Sequence, residues 1–225
     1  MNTKESLLRM LRLLSFRISR EDLSRFNKTD LYIGLLFTWL VGMGRYWDDP
    51  QANLLQHLGV GSVIYIFVMS GLLWLLLKPF RISDWRYERV LTFVSLTSFP
   101  AIFYAIPVEQ FYDVDLSARI NAYFLLAVAT WRVALLIFFL RRSARLSTGE
   151  TVVGTFLPIT FIVTILTVLN LERAVFDIMG GIREKTSHDT AYLILIMITM
   201  LSMILFVPLL IGYIVICVKK RRLGK

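Results

Sequence analysis

Six apolar runs, at roughly 31–47, 59–77, 88–107, 120–140, 152–171 and 191–218, dominate this 225-residue sequence. About 20 apolar residues in a helix cross the roughly 30 Å hydrocarbon layer of a bilayer, so each run is long enough to span. Lipid offers no partner for backbone N–H and C=O groups, and a helix satisfies them within the run itself. The expected fold is therefore an all-α membrane protein with six transmembrane helices and an N-terminal amphipathic interfacial helix. Residues 1–28 form a cytoplasmic amphipathic segment in this scheme, 29–218 a single six-helix transmembrane domain, and 219–225 a basic cytoplasmic tail. The first run is the weakest, because Arg45 interrupts it near its outer end. Trp39, Tyr46 and Trp47 suit an interfacial belt there, and a long arginine side chain can snorkel to water. The last run is the longest and is expected to tilt or to project from the membrane.

Orientation follows from the cations. Of the 25 Lys and Arg residues, seven lie in residues 1–30, four between the second and third runs, three between the fourth and fifth, and five at the C-terminus. These 19 fall on one side of a six-span layout. Five fall on the other (Arg45, Arg119, Arg173, Arg183 and Lys185), and Arg132 lies within a run. Cytoplasmic loops carry such an excess, so both termini are expected in the cytoplasm of an inner or plasma membrane. The net charge of +9 has its explanation in the same bias. Short basic clusters between apolar runs argue against a nucleic-acid partner, as does the 56% hydrophobic composition.

Leu7, Leu11, Leu14 and Ile18 recur at helical spacing before the first run, with Arg9, Arg12, Arg17 and Arg20 elsewhere around the helix. That pattern predicts a helix lying on a leaflet of anionic lipid. A signal peptide would also begin with basic residues and leucines. Here arginines interrupt the leucines and no small-residue cleavage site follows, which favours retention.

The fourth run carries its own puzzle. Arg132 sits near the middle of the stretch Arg119–Arg142, where a charge costs about 2.5–3.5 kcal/mol. Asn121 precedes it by eleven residues, about three helical turns, so both project from nearly one face, which should point into protein. Glu109 follows Pro107 at the outer end of the third run and is a partner for the Asn121 end of the fourth. Arg132 is expected to bond carbonyls freed by Pro100, or the hydroxyls of Ser95 and Ser98. Pro158 and Pro208 likewise break the ladders of the fifth and sixth runs, with Thr155, Thr160, Thr164 and Thr167 near the first of them. Such small polar residues serve helix packing or line a hydrated path, and packing is the commoner use.

At the outer boundary the tract Gly44–Pro50 gathers Arg45, two aromatics, Asp48 and Asp49. Aromatic anchoring and an Asp-Asp-Pro turn account for it; a ligand role is the alternative. The sequence holds no HExxH, GxSxG or GxxxxGK[ST] pattern. His57 and His188 are too few and too separated for a metal site, and the lone Cys217 can form no intrachain disulfide. No cofactor, metal or catalytic residue is expected. The expected partners are the bilayer, with anionic lipid at the N-terminal helix, and other membrane subunits or further copies of the chain. The expected function is a non-catalytic scaffold or subunit of a membrane complex. A small-solute or ion permease using the polar face around Arg132 is the alternative.

Overall fold

A computed structural model of the protein describes residues 3–47, 52–171 and 190–222. In chain order the helices are α1 (Thr3–Leu14), α2 (Arg20–Ser24), α3 (Lys28–Gly44), α4 (Leu54–His57), α5 (Val60–Leu77), α6 (Tyr87–Leu96), α7 (Val114–Arg142), α8 (Thr148–Val168) and α9 (Thr190–Arg222). Short 3-10 segments occupy Lys78–Phe80, Phe99–Ala105 and Val108–Gln110. No strand occurs among the described residues.

Local sequence explains where the helices start. Asn27 with Asp30, Asn53 with Gln56, and Ser147 with Glu150 form reciprocal capping boxes at the N-termini of α3, α4 and α8. Asp113 accepts from Leu116 N to cap α7. Each cap satisfies amide donors that the first turn leaves without intrahelical partners. Between α4 and α5 the chain turns at Gly59, whose φ of +64° and close approach to Trp39 and Met43 backbone both require the absence of a Cβ.

Among the described residues, five helical stretches are long and apolar enough to cross a membrane: Val60–Phe80, Tyr87–Gln110, Arg119–Arg142, Thr148–Val168 and Leu195–Arg222. The 17 residues of α3 give a rod of about 25 Å, at the short limit for a span. The third apolar run is not one continuous α-helix. α6 stops at Leu96, and the chain continues from Phe99 as a 3-10 segment with Pro100 in its first turn. Proline cannot donate to the ladder and clashes with the preceding turn, so the helix gives way there. Pro158 and Pro208, in contrast, lie inside unbroken α8 and α9.

The N-terminal helix corrects an expectation. Met10, Leu13, Leu14 and Ile18 enter the core, while Leu11, assigned by the sequence to the apolar stripe, is 54% exposed. Arg9, placed by the sequence off the apolar stripe, is buried. The docked face is rotated by about a quarter turn from the Leu7–Leu11–Leu14–Ile18 stripe, as 100° per residue requires. Trp131 of α7 donates its indole N–H to Leu14 O at 3.0 Å, and Phe16 meets Phe138 edge-on at 5.7 Å. The core these side chains join includes Phe80, Val90, Phe93, Leu135, Phe139 and Leu157, from the loop after α5 and from α6, α7 and α8.

Two tryptophans close the α5–α6 hairpin reciprocally: Trp74 Nε1 donates to Trp85 O and Trp85 Nε1 to Trp74 O. At the opposite end, Trp39 donates to Leu58 O and Trp47 to Ala105 O. Indoles at both ends of the bundle have the amphipathic character that interfacial belts use. α9 lies along α8, joined by Phe161 with Phe206 and by an ion pair of Lys220 Nζ with Glu150 Oε1 at 2.8 Å.

Candidate functional site

Four polar groupings stand within or beside the bundle. In the first, Asp30 Oδ1 accepts from Arg9 Nε at 3.1 Å and from Arg9 Nη2 at 3.0 Å, while Asp30 Oδ2 accepts from Asn27 N at 2.9 Å. Ser6 Oγ takes a further bond from Arg9 Nη2. Asp30 is 0% exposed, so one carboxylate caps α3 and locks α1 to it. A charged pair this deep is held by its hydrogen bonds, since desolvation alone opposes it. Sequence reasoning missed this group. Nothing local points from Asp30 to a residue 21 positions earlier.

The second grouping joins α3 to α6. Thr38 Oγ1 lies 2.6 Å from Ser98 Oγ and donates to Gly34 O, while Ser98 Oγ bonds Ser95 O and Ser95 Oγ bonds Thr92 O. Ser95 O also receives Ser98 N and a long bond from Thr38 Oγ1. The hydroxyls at the break before Pro100 are thus engaged by their own helix and by α3. Thr38 completes the group and was not singled out from sequence, because its role depends on which helix packs there.

In the third, the Arg45 guanidinium lies 5.1 Å from the Tyr104 ring centroid and 5.6 Å from that of Tyr46, within cation–π range. Arg45 Nε is buried without a hydrogen-bond partner. Arg132 is half-buried. Among the described residues its guanidinium makes no hydrogen bond to Ser95, Ser98 or the carbonyls near Pro100, which pair within their own segment and with Thr38 of α3 instead. In the fourth, Asn121 Nδ2 donates to Glu109 Oε1 at 2.6 Å, tying the start of α7 to the segment that follows Pro107. Asp48 and Asp49 lie outside the described residues, as does His188.

These groupings fasten one helix or segment to another. No group of three His, Cys, Asp or Glu side chains able to hold a metal converges among the described residues. Long apolar helices, an all-helical fold and polar residues joined in pairs across helices define a multi-pass membrane protein. More particularly, the chain belongs to the Yip1 domain family, a multi-pass membrane family that matches residues 24–169, well over half of its length. The matched segment runs from the last residue of α2 through α8, so α1 and α9 flank it. No curated protein and no solved structure matches the chain.

Proposed function

We propose that this Yip1 domain protein is a non-catalytic scaffold or subunit of a membrane complex. α3 acts as a sixth span in this reading, and both termini face the cytoplasm of an inner or plasma membrane. The observation that carries the proposal is the engagement of Thr38, Ser95 and Ser98 with one another and with backbone carbonyls. Hydroxyls at a proline break that are occupied by helix packing do not line a hydrated path. The outward face of α1 exposes Leu8 and Leu11 beside Lys4 and Arg12, which supports contact with an anionic leaflet even though the helix docks on the bundle.

Arg132 favours a second reading. A half-buried guanidinium with no hydrogen bond among the described residues is the element a permease or channel for small solutes would use. Co-purification in mild detergent separates the two. A stoichiometric membrane partner supports the subunit reading. A homo-oligomer that conducts solute in proteoliposomes, and loses conduction in Arg132→Gln, overturns it in favour of transport.

A further inference from the structure

A cavity of about 240 Å³ opens where α3 and α6 begin, lined by Asn27, Lys28, Arg86, Glu88, Arg89 and Thr92 among others. We propose that it is a binding site for a phosphate group, carried by an anionic lipid headgroup or by a phosphorylated solute. Three cations line it against one acid. Asp84 approaches from behind, its Oδ1 2.9 Å from Arg86 Nε and its Oδ2 2.9 Å from Arg89 Nη1. Counting Asp84 and Glu88 against Lys28, Arg86 and Arg89 leaves one positive charge in excess. Each oxygen of Asp84 holds one guanidinium in place and leaves that group's remaining N–H donors for a ligand, in the planar fork that suits phosphate oxygens.

Two further features point to an anion. The Arg89 side chain is only 10% exposed, and its Nε has no hydrogen-bond partner. The guanidinium has Asp84 as its countercharge, and an anion in this cavity would add a second to a charge that burial makes costly. The ten-residue α6 also starts without a side-chain cap, because Arg86 at its N-cap supplies no acceptor. The positive end of its dipole therefore meets the cavity uncompensated except by Glu88. The volume admits a phosphate group with water, given that a single water needs about 10–15 Å³. The place suits a headgroup too. The cavity sits at the span ends that carry the excess of cations, beside the Trp74–Trp85 pair.

The test uses the full chain in detergent, titrated calorimetrically with dioctanoyl phosphatidylglycerol, dioctanoyl phosphatidylcholine and inorganic phosphate. Phosphatidylglycerol should bind at least about tenfold more tightly than phosphatidylcholine. Lys28→Gln, at an exposed position, should weaken that binding about tenfold, and Arg89→Gln by as much or more. Glu88→Gln should tighten it, whereas Arg222→Gln, far along the chain on the same side, should leave it unchanged. Inorganic phosphate binding as tightly as phosphatidylglycerol assigns the site to a phosphorylated solute; lipid binding at least about tenfold tighter than phosphate assigns it to a headgroup. Should Arg89→Gln fail to fold, the opposite shifts of Lys28→Gln and Glu88→Gln still decide the matter. Binding of neither probe, or lipid affinity indifferent to both of those substitutions, overturns the site.

Discussion

Arg9 and Arg132 are both arginines in apolar surroundings, and they differ in what surrounds the charge. Arg9 is bound twice by a fully buried carboxylate that also caps a helix. Replacing it leaves Asp30 buried and short of a countercharge, so Arg9→Leu should cost about 3–5 kcal/mol. Arg132 has no such acceptor among the described residues, and its removal strands nothing there. Arg132→Leu should therefore leave the melting temperature in detergent unchanged or raise it, since a mid-membrane charge is itself unfavourable. Both variants belong in one thermal scan. A fall for Arg132→Leu as large as that for Arg9→Leu would show that Arg132 is a structural anchor.

At the scale of elements, α3 and α6 approach closely at Gly34. A Cβ on Gly34 would lie 2.9 Å from Leu96 N and from Ser95 Cβ, distances that backbone and a buried side chain cannot relieve cheaply. Gly34→Ala should separate the two helices, loosen the Thr38–Ser98 contact and destabilise the protein by about 1–3 kcal/mol. Gly61 in α5 has nothing within 4 Å of its Cβ position. Gly61→Ala should accordingly be neutral or stabilising by up to about 1 kcal/mol, from lower backbone entropy in the unfolded chain. Unfolding midpoints in mild detergent give both values, and equal effects at the two glycines would remove close packing as the cause.

For the whole molecule, the division of cations makes a topological prediction. In a Cys217→Ala background, cysteines placed at Gln51 and at Ser187 should react with an impermeant thiol reagent added to intact cells. A cysteine at Ser143, beside Arg141 and Arg142, should stay protected. Reaction at Ser143 would reverse the orientation. Labelling of Gln51 and Ser143 from the same side would instead mean that the chain between them crosses an even number of times. That result would remove one of α5, α6 with its 3-10 continuation, or α7 from the spanning set.

The helical class and the membrane environment were legible from periodicity and run length alone, because lipid forces each apolar segment to satisfy its own backbone. The caps are equally local, since Asn27, Asn53, Asp113 and Ser147 each bond within three residues, yet none was singled out from the sequence. The proline at 100 announced a break, though not that a 3-10 segment would carry the chain onward. The face of α1 was decided only by tertiary structure. Apolar residues at 7, 8, 10, 11, 13 and 14 cover more than one stripe, and packing chose the one that brings Arg9 to Asp30. The partners of Ser95 and Ser98 were likewise beyond the sequence. Either α7 or α3 offered polar groups for them, and the absence of a side chain at Gly34 let α3 come close enough to win.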